Sequence, residues 1–221
     1  MISIVIPIYK SQKTLSRCLD SFSGLRDSQL ESIELILVLD GDNLECEFII
    51  EEWQKEIICK SRIVRQKHFG VASARNLGAS KSTYDFITFL DADDEILSAR
   101  LDMTHELRDN MIIIGRQEVT IDNSNSNEMN SIAVPSPFHI LTMILHRKTF
   151  TEIGGFDESI SHGSDWDFLI RAREHNFAIN YSDMAFVKRY IHEDNHSFDS
   201  KKVQAQHLEA VRRHLNRRAS N

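Results

Sequence analysis

An α/β fold, a mostly parallel sheet flanked by helices, is predicted for this 221-residue chain by three observations. Apolar runs of strand length alternate with helical patterns through the first half, which argues for parallel strands joined by covering helices. The length suits one core domain with at most a small appendage, since single cores hold up to roughly 250 residues. An acidic cluster follows one apolar run directly, and ligands of open α/β sheets bind at the carboxyl ends of strands.

Residues 2–8 open the chain as a buried strand; the run is too short and lacks the basic lead of a signal peptide. Ser11 can cap a helix whose Leu15, Cys18, Leu19 and Phe22 fall at helical spacing, and Gly24 can stop it. A strand at 33–39, a helix at 44–58 and a short strand at 62–65 follow. Next come a small-residue helix at 71–81 and a strand at 84–90 that ends on Asp91, Ala92, Asp93 and Asp94. Residues 111–121 read as a further strand, and the Asn- and Ser-rich stretch 122–130 as a mobile loop. Beyond it we expect a strand around 140–145, a turn at Gly154 and Gly155, and a helix over 165–175. In the tail, 201–218, Val203, Leu208, Val211 and Leu215 fall near one helical face. That apolar stripe needs cover, from the domain, a second copy as a homodimer, or an anionic membrane surface touched peripherally; the basic residues favour the last two.

Composition excludes several classes. With 41% hydrophobic and 27% charged residues the chain is globular rather than disordered or fibrous. A net charge of −7 offers no field for a nucleic acid backbone, so no nucleic acid partner is expected. No apolar run reaches the roughly 20 residues of a membrane span. Cys18, Cys46 and Cys59 are odd in number and lack metal-site spacing, which suits a reducing compartment and a cytoplasmic location.

The chemistry centres on Asp91, Asp93 and Asp94, where carboxylates converge as burial ends. Such crowding is unfavourable without a cation, and a hard divalent ion that also binds diphosphate oxygens would relieve it. Taken alone, an Asp-x-Asp reads better as a solvated turn capping the next helix. The order of segments adds what the triplet lacks. Residues 3–9 (SIVIPIY), 34–42 (ELILVLDGD), 70–78 (GVASARNLG) and 89–94 (FLDADD) together resemble the family 2 glycosyltransferases of the GT-A fold. The resemblance continues through 153–158 (IGGFDE) and 164–167 (SDWD) to 189–192 (RYIH).

That resemblance implies a GT-A domain, Rossmann-like, over 1–198, with a nucleotide-binding half at 1–121, an acceptor half at 131–198 and a C-terminal helix at 199–221. It implies that Pro7 and Tyr9 line the nucleotide pocket and that Asp40 accepts a hydrogen bond from the base, usually uracil. Arg75 and Asn76 then lie over the nucleotide sugar, where a guanidinium can bind phosphate or carboxylate through two parallel bonds. Asp91 and Ala92 lie near the ribose, Asp93 is the metal ligand, and Asp94 stands behind it. Asp165 is the catalytic base, although Ser164 stands where the family often has a second acid. His192 completes the metal or diphosphate site, with His196 close enough to be its substitute. Trp166, Phe168 and Leu169 read as core, and Lys67 and His68 as exposed loop residues.

The function these residues imply is inverting transfer of a sugar from a nucleoside diphosphate sugar, UDP-linked, to a hydroxyl of a saccharide or lipid-linked acceptor in cell-surface polysaccharide or glycoconjugate synthesis. Mn²⁺ or Mg²⁺ is the implied cofactor, and hexosyl or N-acetylhexosaminyl groups the implied cargo. Two rivals stand beside it. A sugar-nucleotidyltransferase would want a glycine-rich loop after the first strand, and residues 9–13 contain no glycine. An inactive nucleotide-sugar binder has Ser164 as its only hint.

Overall fold

β1 (Ile2–Ile8) is buried along almost its whole length, as a strand covered on both faces must be. The computed structural model describes residues 1–121, 131–134, 140–160, 163–191, 211–215 and 217. After β1 the chain turns through residues 9–14 into α1 (Leu15–Asp20). The carbonyl of Ser11 accepts from the amides of Thr14 and Leu15, and its hydroxyl donates to Tyr9 O. Ser11 therefore shapes the turn and its side chain caps nothing, so the helix begins later than its polarity suggests. It runs into a 3₁₀ turn, Ser21–Gly24, and a short α2 (Asp27–Leu30) precedes β2 (Ile33–Asp40).

α3 (Leu44–Trp53) is shorter than expected. Past Trp53 the amides of Lys55 and Glu56 bond only three residues back, and the helix unwinds there. β3 (Lys60–Gln66) is longer than expected because β2 pairs with it along its whole length, from Glu34↔Lys60 to Asp40↔Gln66. As an edge strand it is half-exposed and polar, which hid its ends. α4 (Val71–Lys81) occupies the expected residues and lies tight on the sheet at Gly78, where a Cβ would stand 2.2 Å from Val5 Cγ1. β4 (Phe86–Phe89), β5 (Glu95–Ile96) and α5 (Ala99–Asp102) follow.

β6 (Met111–Ile121) pairs with β7 (Ser131–Val134) and with β8 (Met143–His146). The strand expected around 140–145 thus starts only at Met143, after a 3₁₀ turn at Ile140–Thr142. α6 (Arg147–Ile153), α7 (Ser164–Glu174) and the long β9 (Ala178–Ile191) complete the described elements. The loop expected at 122–130 lies outside the described residues.

Among the described residues nine strands join one sheet, in the order β3-β2-β1-β4-β8-β6-β9-β5 with β7 on β6. Parallel ladders carry most of the paired residues, through β3-β2-β1-β4 and β6-β9, while β8 runs antiparallel between β4 and β6. Phe89, Phe150, Phe156 and Phe168 pack into an aromatic cluster, with ring centroids 5.1–5.5 Å apart, where α6 and α7 meet β4. Among the described residues no helix is long and apolar enough to cross a membrane.

The described tail residues are helical at 211–215. They dock by charge: Arg213 Nη1 donates to Asp157 Oδ2 at 2.9 Å and Arg217 Nη1 to Asp167 Oδ1 at 3.0 Å, while His214 meets Glu174. Val211 and Leu215, expected to seek cover, are exposed. The basic face, rather than the apolar stripe, faces the domain, because three carboxylates of that surface offer it partners.

Candidate active site

The site follows from the sheet order. Connections run outward from β1 to β2 to β3, then return past β1 to β4, so the winding reverses between β1 and β4. At such a switch point the loops leaving the two strand ends part and open a crevice. Tyr9 leaves one of these strands, Asp91 to Asp94 leave the other, and Asp40 ends the adjoining β2.

In the acidic turn, Asp91, Asp93 and Asp94 each present a carboxylate oxygen, all within 4.8 Å of one another. Arg75 Nη2, on α4, donates to Asp91 Oδ1 at 2.5 Å. Asp94 is 1% exposed; its Oδ1 accepts from Tyr190 N at 3.2 Å, and its Oδ2 is buried without a hydrogen-bond partner. Burial first, then the charges of Asp93 and Asp91, holds the Asp94 carboxyl well above the ordinary carboxylate range, against the pull of Arg189. Two arginines brace the turn. Arg17 Nη2 donates to Asp93 O at 2.7 Å with its guanidinium 3.7 Å over the Tyr190 ring. Arg100 is fully buried, its Nη1 donating to Phe89 O at 3.0 Å and its Nη2 to Leu141 O, so it ties the end of β4 to the approach to β8. Burial pushes Arg100 down to about 9, with Asp94 pulling it back up, and it therefore stays charged at neutral pH.

An all-oxygen donor set with one buried, unpartnered carboxylate oxygen fits a hard divalent cation such as Mg²⁺ or Mn²⁺. His192, the other expected ligand, lies outside the described residues, as does His196.

At the end of β2, Asp40 is 2% exposed and accepts four hydrogen bonds: Gln66 Nε2 at 2.7 Å and Phe69 N at 2.9 Å on Oδ1, His68 Nδ1 at 2.9 Å and Gly70 N at 3.0 Å on Oδ2. The His68 ring stacks on Tyr9. Asn43 joins the two strand ends, taking Lys10 N on its Oδ1 and donating toward Ile8 O and Asp40 O. Pro7 is half-buried and Ala92 buried beside these groups.

α7 brings Asp165 to the other side of the crevice. The side chain keeps partial exposure, and its Oδ1 accepts from Trp166 N at 3.0 Å. Burial raises its pKa; Arg75, the next influence, lowers it, and Asp91 raises it a little. Asp165, Arg75 and Asp91 thus share one electrostatic neighbourhood although 90 residues of chain separate the first two (165 − 75). What holds α7 there is Arg171, which donates to Ile153 O at 2.5 Å, Gly155 O at 2.7 Å and Asp167 Oδ2 at 2.7 Å. Asn76 fixes the same turn from α4: its amide donates to Phe156 O and accepts from Phe156 N, both at 2.8 Å, and also reaches Glu158. A Cβ on Gly155, at φ +66°, would stand 2.8 Å from Asn76 Oδ1, so this contact requires glycine. Both ends of the Asn76 amide, expected over the nucleotide sugar, are taken by the chain itself.

The structure therefore links Tyr9 to Asp40 through His68, brings Arg75, Asp91, Asp93 and Asp165 into one charged cluster, and sets the turns that carry Tyr9, Asp40 and Asp91 at the carboxyl ends of β1, β2 and β4. Sequence reasoning missed Arg17, Asn43, Arg100 and Arg171, which are ordinary polar residues in one dimension. It also set aside His68, whose place after Lys67 and before Gly70 was the only signal available.

Three comparisons bear on this arrangement. The profile of "Glycosyl transferase family 2" matches residues 3–195. An uncharacterized glycosyltransferase of Haemophilus influenzae is 29% identical over 201 residues, 84% of this chain and 77% of the relative. Uncharacterized glycosyltransferase EpsJ of Bacillus subtilis is 34% identical over 115 residues, 52% of this chain, and minor teichoic acid biosynthesis protein GgaA of the same organism 35% over 96 residues, 42% of this chain. The match spans only 32% of EpsJ and 22% of GgaA. The crystal structure of S. aureus TarS 1-349 in complex with UDP-GlcNAc superposes with a TM-score of 0.66 at 20% identity, covering 90% of this chain and 61% of that one, which shows a shared GT-A fold. With the profile running across both sides of the crevice, from β1 past β9, the chain belongs to glycosyl transferase family 2.

Proposed function

We propose that the protein transfers a sugar from a UDP-linked donor to a hydroxyl group, with inversion. The observation that carries this reading is the meeting of the three-aspartate turn, Arg75 and Asp165 at the switch point of the sheet. In this reading the base lies on Tyr9 against Asp40, the ribose beside Asp91, and the diphosphate at Asp93. Asp91, Asp93 and Asp94 would hold a Mg²⁺ or Mn²⁺ ion, which when bound offsets charge on the leaving diphosphate.

The chain's own residues supply the rest. Arg75 orients Asp91 through a charge-assisted bond and sets a positive charge between the donor side and Asp165. The acceptor hydroxyl must lose its proton as it attacks the anomeric carbon, and in this reading the Asp165 carboxylate takes it. Burial raises the proton affinity of that carboxylate, which suits it to the task, while the Arg75 charge opposes the rise. One base on the acceptor side supports a single displacement, hence inversion. The printed role of GgaA in minor teichoic acid biosynthesis supports a cell-surface saccharide as acceptor, and three unpaired, buried cysteines support a cytoplasmic setting.

Titration of the protein with UDP by calorimetry tests the donor side. Binding should be tighter with Mg²⁺ or Mn²⁺ than with a chelator, and Asp93→Ala should remove that difference while the protein stays folded. Equal affinity in both conditions removes the metal from the proposal, and no binding of UDP in either removes the donor.

A further inference from the structure

The donor reading needs a flat apolar surface on Tyr9 and an acceptor on Asp40, and in this structure one side chain already uses both. The rings of Tyr9 and His68 are parallel within 10°, with centroids 3.9 Å apart. The same imidazole meets Asp40 Oδ2 at 2.9 Å through Nδ1. The partner is a carboxylate, so Nδ1 carries the proton and donates. Rings stacked this closely leave no room for a third between them.

Asp40 has no spare capacity either. Each of its oxygens takes two donors, filling the roughly four acceptor positions of a carboxylate. Two of those donors are the backbone amides of Phe69 and Gly70, fixed by the turn that starts α4. Of the two side chains, only His68 also covers Tyr9. Its place is built: Gly41, at φ +99°, lies under it, and a Cβ there would come within 3.2 Å of His68 Cβ. Its side chain is nonetheless 52% exposed, so the ring has solvent to swing into.

We propose that His68 is a stand-in for the nucleobase: its imidazole fills the base position in the nucleotide-free protein and leaves when a donor binds. The inference rests on the reading above that the base stacks on Tyr9 and bonds Asp40. A uracil N3–H replaces both contacts at once, giving a ring face to Tyr9 and a proton to Asp40, so the exchange is close to balanced and the donor site never stands open. Its cost falls on every ligand that carries a base, and not on a ribose phosphate that lacks one.

The experiment is calorimetric titration of His68→Ala with UDP and with ribose 5-phosphate, beside wild type and a double variant that adds Tyr9→Ala, in Mg²⁺. Removing the competitor should tighten UDP binding by about 3- to 30-fold, the span expected when a stacked, hydrogen-bonded ring no longer has to be displaced. Ribose 5-phosphate should bind both proteins equally. UDP binding that is unchanged or weaker in His68→Ala overturns the stand-in, as does an equal gain for ribose 5-phosphate. Tyr9→Ala, made with His68→Ala also in place so that no competitor remains, separates the two ideas: weaker UDP binding than in His68→Ala alone upholds the donor reading whatever His68 does, and unchanged binding removes that reading and the stand-in with it.

Discussion

At the scale of single residues, Asp94 concentrates the strain of the acidic turn. Its carboxyl is buried, has an oxygen without a partner and faces two other carboxylates, so its charged form is disfavoured in the folded chain. A carboxyl whose folded pKa is raised costs the fold stability once pH rises above its unfolded value, and that penalty grows until pH reaches the folded one. Asp94→Asn removes the charge, retains the acceptor for Tyr190 N, and should stabilise the metal-free protein by on the order of 1–3 kcal/mol, the usual cost of an unsatisfied buried group. Thermal unfolding in a chelator checks it, with a rise of roughly 2–4 °C per kcal/mol for a chain of this size. The identity of the three aspartates was legible in the sequence, because a carboxylate cluster after an apolar strand is a local pattern. The braces were not. Arg17 reaches Asp93 across 76 residues and Arg100 reaches Leu141 across 41, and nothing in either neighbourhood announces such a partner.

Among the elements, α7 shows how a helix that carries a candidate base is held. Two positions after Asp165, helical geometry turns Asp167 roughly 200° away, and there it is wholly buried with Arg171 on one oxygen and Arg217 on the other. Asp167 is therefore a structural anchor. Asp167→Asn leaves two arginines facing a neutral amide and should cost about 1–3 kcal/mol in thermal unfolding while sparing UDP affinity. The same surface gives a pH dependence. Asp157 and Glu174 are shifted down: burial raises both, and the hydrogen bonds and charges of Ser159 and Arg213, and of His214 and Arg217, outweigh it. Lowered folded-state values mean that tail docking is stable above the ordinary carboxylate range and is lost as pH falls through it. Proteolysis within 211–217 should accelerate below about pH 4 and stay slow at pH 7. β1, β2, α4 and β6 were legible because burial on both faces or a run of small residues leaves an unambiguous pattern. α6, β5 and the bounds of β3 were not, since short or edge elements owe their existence to neighbours, as β5 does to β9.

At the scale of the whole molecule, one continuous sheet carries the account. β8 joins the parallel strands that end in Tyr9, Asp40 and Asp91 to the strands beyond, and α6 and α7 fold back from it so that Asp165 shares the field of Arg75 and Asp91. The winding reversal at β1 and β4 could be anticipated from alternating elements, whereas the return of α7 to the crevice rests on Asn76 and Arg171 gripping the turn at Gly155. The central claim is that this return delivers a base to the acceptor side. Its pKa, raised by burial, predicts a rate that falls on acidification through a value above that of an ordinary aspartate. The most direct measurement is kcat and UDP affinity of Asp165→Asn beside wild type, since the amide keeps size and hydrogen bonding yet takes no proton at neutral pH. The account predicts a loss in kcat of about 10²–10⁴-fold with UDP affinity nearly unchanged. Near-full turnover in Asp165→Asn would contradict it, and so would a loss of UDP binding that matches the loss of rate.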